Sequence, residues 1–190
     1  CIVAPAFSEP ALEILRAKKN LRLLATGGWL EASHAALAYK RVSGGLVVQD
    51  RDATGIGETM LAHGAKVVTR RAPTADEAKG LEFAWRVCKH VKSNSIVLAR
   101  GEVTVGVGAG QMSRVVSVQI ACEKAGEKAR GSVLASDAFF PFPDGVEAAG
   151  KAGVTAVAQP GGSVKDPDVI AAADSLGMAM ILTGVRHFRH

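Results

Sequence analysis

An α/β layered domain is the fold class that three observations predict. Apolar strands alternate with amphipathic helices from one end of the chain to the other, which is the pattern of a layered α/β domain. The 190 residues suffice for one domain, or a tight pair of small ones, at roughly 100–200 residues each. Hydrophobic residues make up 48% and charged residues 22%, both near the globular average, so a packed core is expected without metal or disulfide staples.

The elements follow in order. Cys1–Pro5 reads as a short strand. Ser8 is placed to cap a helix, with Pro10 in its first turn and Ala11, Leu12, Ile14 and Leu15 on its buried side. Leu21–Ala25 is the next strand. Tyr39–Val42 and Leu46–Gln49 are strands across Ser43-Gly44-Gly45, a hairpin-like break. Asp50–Gly57 is polar and Gly-bearing, hence loop, and Lys66–Thr69 is a strand. Thr74 and Glu77 have the spacing of a capping box. Leu81, Ala84, Trp85, Cys88 and Val91 then recur on one helical face, with Glu82 and Arg86 paired on the outside. Ser95–Ala99 and Val103–Val107 are strands joined at Gly101. A helix is predicted from Gln111 to about Lys124, and a strand over Ser132–Ala135. A short helix covers Val146–Ala152 and a strand covers Val154–Ala158. Asp166 caps the last helix, with Pro167 at its first position and Gly177 at its end, and Met178–Leu182 closes as a strand.

Several function classes are disfavoured. No uncharged apolar run approaches the ~20 residues of a membrane helix, so no membrane partner is expected. The three cysteines, Cys1, Cys88 and Cys122, are odd in number and form no CxxC, which points to reduced thiols in a cytoplasmic setting. The net charge of +5 mildly favours anionic ligands. The basic residues are dispersed, though, and two Trp, one Tyr and six Phe make a thin stacking platform, so nucleic acid is not the expected partner. Starting at Cys1 inside a strand, the chain is expected to be part of something longer.

Ligands in such folds sit beyond the carboxyl ends of strands. Three unusual segments fall there: the loop after Val107, the Asp137 loop and the Gln159 loop, with Lys92-Ser-Asn-Ser95 where a helix hands over to a strand. Gly106, Gly108 and Gly110 resemble a dinucleotide fingerprint, but Gln111 stands where G-x-G-x-x-G needs its third glycine. A turn that lets the backbone approach a neighbour is preferred. Gly161-Gly-Ser163-Val-Lys165 lacks the last glycine of a nucleophile elbow and reads as a turn. There is no HxE with a later PCxxC and no helical histidine pair, so His34, His63 and His90 read as surface or satisfied histidines. Cys88 lies on the apolar stripe and reads as a buried inert thiol. Ser136–Asp144 places three phenylalanines between two acids, and its reading is open between a hydrophobic plug and an aromatic wall for a flat heterocycle. Asn94 between two serines reads first as helix-end chemistry, with an oxygen-rich cation site as the alternative. The basic tail Arg186-His-Phe-Arg-His190 is a solvated end by default, but Arg186 just after a strand suits phosphate or carboxylate.

Taken together these segments carry a resemblance. Lys92-Ser-Asn-Ser95, Gly106-Val-Gly-Ala-Gly-Gln-Met-Ser-Arg114, Ser136-Asp-Ala-Phe-Phe-Pro-Phe142, Gln159-Pro-Gly-Gly-Ser163 and Arg186-His-Phe-Arg-His190 stand in the order seen in one family. Lys19-Asn-Leu-Arg-Leu-Leu24 and Gly45-Leu-Val-Val-Gln-Asp-Arg-Asp52 extend the match over essentially all 190 residues. The chain resembles the C-terminal part of the bifunctional purine biosynthesis proteins that combine AICAR transformylase with IMP cyclohydrolase.

The resemblance implies a formyltransferase that moves a formyl group from the co-substrate 10-formyltetrahydrofolate to the amine of AICAR, within an enzyme that also closes the ring to IMP. It implies a three-layer α/β/α subdomain with a mixed sheet, cytidine deaminase-like but without zinc. Residues 1–73 would be the approach segment and 74–190 the C-terminal transformylase subdomain. The cyclohydrolase domain and the first transformylase subdomain, with its catalytic Lys-His pair, would lie outside these residues. By the same resemblance Asn94 acts at the transfer site, while Arg114, Phe139 and Arg186 bind AICAR and Asp144 faces the folate. Potassium, held by some members, would fall to Val91, Ser93, Ser95, Asp137 and His187, partly through backbone carbonyls. The family is homodimeric with sites at the subunit interface. Pro143 stands where many relatives have Arg, which removes one charge beside the folate. The alternative for the isolated chain is a non-catalytic module that binds substrate and dimerises.

Overall fold

Alternation of side chains along Ile96-Val97-Leu98-Ala99 decides the architecture of most of this chain. A strand sends successive residues to opposite faces, and here all four are buried, so both faces must be covered. The computed structural model describes residues 1–28, 36–53 and 59–189. They fall into two compact units, Cys1–Ala53 and Thr54–His190. Residues 59–73, grouped with the first segment in the sequence reading, lie with the larger unit.

In the smaller unit, β1 (Ile2–Ala4) and β2 (Leu23–Ala25) pair in parallel, with α1 (Glu9–Arg16) between them in the chain. β3 (Leu37–Val42) and β4 (Gly45–Asp50) form an antiparallel hairpin. Its two-residue turn, Ser43-Gly44, needs glycine because Gly44 has φ of 78°. Two expectations are corrected here. Ser8 occupies the N-cap position, but its side chain makes no capping hydrogen bond. The apolar side of α1 is not buried: Ala11, Leu12 and Leu15 are half-buried and Ile14 is 75% exposed. A two-stranded parallel pair offers too little surface to cover four side chains. The predicted loop over Asp50–Gly57 is replaced at its start by the end of β4, and its residues 54–57 lie outside the described residues, as does His34.

The larger unit is built on one six-stranded mixed sheet in the order β5-β10-β9-β8-β6-β7. The strands are β5 (Lys66–Val67), β6 (Ile96–Arg100), β7 (Val103–Gly108), β8 (Val133–Ser136), β9 (Ala156–Gln159) and β10 (Ala179–Leu182). β8, β9 and β10 run parallel, while β5, β6 and β7 pair antiparallel with their neighbours. One face is covered by α2 (Ala75–Cys88), whose Leu81, Ala84, Trp85 and Cys88 pack with Val97, Ala135 and Ala158 of the sheet. The other face packs Ile96, Leu98, Leu134, Val157 and Met180 against α3 (Arg114–Ala125), α4 (Asp144–Lys151) and α5 (Asp166–Ser175). The result is three layers, α/β/α. The small residues of the sheet on the α2 side suit a single helix carrying the bulk of Trp85.

The capping box at Thr74 forms as expected: Glu77 N–H donates to Thr74 Oγ1 at 3.2 Å, and Thr74 N–H donates to the Glu77 carboxylate at 2.8 Å. Asp166 does not cap α5 but is its first residue, with Lys165 at the cap. The Asp166 carboxylate instead accepts from Gly162 N–H at 2.7 Å, tying the Gln159 loop to the helix. The helix predicted from Gln111 begins three residues later, at Arg114. The reason is β7: a Cβ at Gly108 would stand 1.9 Å from the Ser117 carbonyl oxygen, and one at Gly106 would stand 2.1 Å from that of Ala121. These glycines let α3 lie directly on the strand, and the chain needs Ala109–Ser113 to turn back onto it. The packing reading of the glycine run is the one this geometry supports.

Candidate functional site

The sheet topology gathers the unusual segments at one edge. β8, β9 and β10 are parallel, so Ser136, Gln159 and Leu182 all end there. β6 is antiparallel to β8, so its beginning lies at that edge, with Ile96 opposite Ser136. β7 is antiparallel to β6, so its end returns to the same place, with Gly108 opposite Ile96. Four stretches far apart in sequence therefore meet: Asn94, the start of α3, the loop 137–144, and the tail after β10.

They enclose a cleft of about 520 Å³ lined by Asn94, Arg114, Phe139, Asp144 and Arg186. All five residues assigned to substrate or folate from the sequence thus share one cavity. Lining residues that the sequence reading did not single out include Met112, Ser113, Phe142 and Phe188. All four lie inside the quoted motifs, and for Phe142 and Phe188 an aromatic ring beside assigned residues was the available signal. Met112 and Ser113 offered only their place next to Arg114.

A hydrogen-bonded chain forms the floor. Arg114 is 8% exposed. Its Nη1 donates to Ser136 Oγ at 2.8 Å and to Asp137 Oδ1, and its Nη2 donates to Asn94 Oδ1 at 2.8 Å. Asn94 Nδ2 donates to the carbonyl oxygens of Gln111 and Met112, at 2.9 and 3.1 Å. Ser117 Oγ, one turn into α3, donates to the Asn94 carbonyl oxygen at 2.8 Å. Asn94 is thus pinned to the turn before α3, rather than capping the helix before it. The Ser93–Asn94 peptide is cis.

The wall is aromatic. Phe140 is buried, its ring against Gly145 of α4, and its N–H donates to Gln159 Oε1 at 2.8 Å. That bond holds the backbone of the 137–144 loop, and Gln159 is a positioning group that the sequence reading quoted without a role. Phe139 is half-buried and faces the cleft, with the Arg186 guanidinium 5.3 Å from its ring centre and 5.8 Å from that of Phe188. Stacking of this kind orients a cation without neutralising it. Asp144 is exposed at the rim, where its carboxylate accepts from Gly145 N–H at 2.8 Å.

Beneath the floor lie the residues assigned to a cation. Ser93, Ser95, Asp137 and His187 are buried, and Val91 is half-buried. Asp137 N–H donates to the Ser95 carbonyl oxygen at 3.2 Å, and His187 N–H donates to that of Asp137 at 2.9 Å. Arg189 N–H donates to Ser93 Oγ at 3.0 Å. Asp137 Oδ2 is buried and has no hydrogen-bond partner among the described residues. An orphaned carboxylate oxygen among hydroxyl and carbonyl oxygens fits a hard monovalent cation in donor type. Among the described residues no three His, Cys, Asp or Glu side chains gather to hold a metal. The His187 ring packs edge-on against Trp85, with centres 5.0 Å apart, and the His63 ring lies tilted to the same indole at 5.9 Å. His90 is exposed.

Cys88 is fully buried, with Sγ 3.1 Å from Ser95 Oγ. Burial pushes its thiol up to about 12, so it is no nucleophile at neutral pH. No described helix is long and apolar enough to cross a membrane.

A family model described as AICARFT/IMPCHase bienzyme matches residues 1–124. The bifunctional purine biosynthesis protein PurH of Sorangium cellulosum (strain So ce56) is 67% identical over 190 residues, covering 100% of this chain and 36% of that protein. The protein of the same name from Bacillus thuringiensis (strain Al Hakam) is 55% identical over 189 residues, with 100% and 36% covered. A solved chain, Acinetobacter baumannii RibD, form 2, is 18% identical with a TM-score of 0.37, covering 51% of this chain and 31% of that one. The chain spans 36% of the length of the curated relatives it matches. With a family model matched over most of its residues, the chain belongs to the AICARFT/IMPCHase bienzyme family.

Proposed function

We propose that the larger unit carries part of the AICAR formyltransferase site, with a cytidine deaminase-like subdomain fold, and that the residues of the smaller unit lead into it. The observation that carries this reading is the convergence of Asn94, Arg114, Phe139, Asp144 and Arg186 on one cleft from four separate segments. In the reaction, the exocyclic amine of AICAR attacks the formyl carbon of 10-formyltetrahydrofolate. A nitrogen–carbon bond forms, the bond from the formyl carbon to the folate nitrogen breaks, and one amine proton ends on that nitrogen.

The amine is a weak nucleophile because its ring and carboxamide withdraw electrons. It needs fixed orientation and a proton acceptor. In this reading Phe139 offers its backbone to the carboxamide and its ring to the heterocycle. Arg186, oriented by Phe139 and Phe188, meets the nucleotide. Asp144 at the rim faces the folate. Asn94 orients the reacting groups. The base belongs to the remaining length of the family's proteins, the chain acting in the cytoplasm as part of a homodimer.

Potassium, in the same reading, is held by oxygens of Val91, Ser93, Ser95, Asp137 and His187. It would supply positive charge to the Asp137 oxygen that has no hydrogen-bond partner among the described residues.

Calorimetric titration of AICAR, then of a folate analogue, into the chain with potassium present tests the proposal. Saturable binding that is weakened in Asn94→Ala and in Arg186→Ala is expected. In the full-length protein, Asn94→Ala should lower turnover by roughly 10²-fold through lost positioning, with little change in melting temperature. A well-folded chain that binds neither ligand, alone or within the full-length protein, refutes the reading.

A further inference from the structure

The floor of the cleft contains a polarity that neither the motif nor the family assignment specifies. An asparagine amide brings two donors and one acceptor oxygen with two lone pairs. Both donors of Asn94 are spent, one on the Gln111 carbonyl oxygen at 2.9 Å and one on that of Met112 at 3.1 Å. One lone pair of its oxygen is taken by Arg114 Nη2 at 2.8 Å. The reverse orientation is closed. It would set the amide nitrogen against a guanidinium, which has no acceptor, and the amide oxygen against two carbonyls, which have no donor. Arg114 is itself held by Ser136 Oγ at 2.8 Å and by the Asp137 carboxylate. Its charge is thus buried and paired, and turning away would leave the Asp137 carboxylate without that partner.

We infer that Arg114 is a positioning residue that locks the Asn94 amide, so that Asn94 presents an acceptor and no donor to the cleft. The inference rests on the formyltransferase reading and deepens it. An acceptor cannot hold the formyl oxygen, which has no hydrogen to give. It can accept from an N–H of the substrate amine, directing the nitrogen lone pair away from Asn94 and toward the formyl carbon. The substrate feature recognised by Asn94 is therefore an N–H donor on the imidazole ring, and selection against ring substituents that only accept follows from the same geometry.

The test uses the full-length protein and two ligands: AICAR, and the imidazole carboxamide ribonucleotide with hydrogen in place of the exocyclic amine. The wild type should bind AICAR roughly 3–10-fold more tightly than the deaminated ligand, the size of one net hydrogen bond. That preference should vanish in Asn94→Leu, and should also vanish in Arg114→Lys, which keeps a positive charge beside Asp137 but withdraws the planar donor on the amide oxygen and leaves the amide held by its two carbonyl bonds alone. Nitrogen NMR of the unliganded protein reads the lock without substrate. The Asn94 side-chain NH₂ should show slowly exchanging protons, both hydrogen-bonded, and should lose that protection in Arg114→Lys while near-ultraviolet circular dichroism stays unchanged. Equal affinity of the two ligands for the wild type overturns the inference and leaves the formyltransferase reading standing. Failure of the wild type to bind either ligand overturns both. A preference lost in Asn94→Leu but kept in Arg114→Lys overturns the role of Arg114.

Discussion

Replacing Gly108 by alanine tests whether the site depends on how closely α3 lies on β7. The added Cβ would stand 1.9 Å from the Ser117 carbonyl oxygen and 2.9 Å from the Ser117 Cα. Both neighbours are backbone, so no side chain can swing aside. A comfortable carbon–oxygen separation is about 3.3 Å, so strand and helix must part by about 1.4 Å. Ser117 is the residue whose hydroxyl holds the Asn94 carbonyl oxygen at 2.8 Å, and a displacement of that size breaks the bond. It also shifts Arg114, one turn earlier on the helix, against Ser136 and Asp137. Overpacking of a close-packed core costs about 1–3 kcal/mol, and the lost Ser117 bond adds about 1 kcal/mol, so destabilisation of about 2–4 kcal/mol is expected. Thermal unfolding should show a fall in Tm of roughly 5–15 °C for a unit of this size. AICAR affinity should weaken at a temperature where the variant is still folded. Gly110→Ala is the control. Gly110 has φ of 68°, but its nearest neighbour to an added Cβ is the flexible Lys92 side chain at 3.7 Å, so only the backbone term of about 1–2 kcal/mol applies. A Gly108→Ala protein as stable as Gly110→Ala, or one with undisturbed AICAR binding, would refute the reasoning.

Two further outcomes follow from the ion pair and the thiol of the larger unit. Burial works to raise the Glu77 carboxyl, but hydrogen bonds from Arg71, Thr155 and the Thr74 backbone overcome it and hold it at about 2, against an ordinary value of 4.5. A carboxyl lowered in the folded state stabilises above its unfolded value and loses that contribution as pH falls from about 4.5 toward 2. Denaturant unfolding at pH 6 and pH 3 should therefore show an acid loss about 1–2 kcal/mol larger in the wild type than in Glu77→Gln, solvent screening of Arg71 included; equal losses would remove the pair from the acid response. For the thiols, a chromogenic disulfide reagent at pH 8 should label half-buried Cys122 well before Cys88, whose thiolate fraction is roughly 10³-fold below that of an ordinary thiol. Labelling of Cys88 at the rate of global unfolding is expected, and labelling faster than that would contradict its burial.

The chain itself determined the layered α/β class, because period-2 and period-3.6 hydrophobic patterns are local and each element carries its own. It determined the α2 capping box, since Thr74 and Glu77 are three residues apart and need no tertiary partner. Segment order also made the motif residues of the cleft legible, although their meeting was not. Only the tertiary structure decided that α1 stays largely uncovered, because burial depends on the surface a neighbour offers and a two-stranded pair offers little. Only the sheet's mixed direction decided that Asn94, the start of α3, the 137–144 loop and the tail share an edge; strand direction is a relation between distant segments, and residue pattern does not encode it. The same holds for Gln159 beneath Phe140 and for Arg114 against Asn94, pairs that stand 19 and 20 residues apart. A hydrogen bond across that distance is chosen by the packing of α3 on β7 and of the loop on α4, and it exists only once those layers have closed.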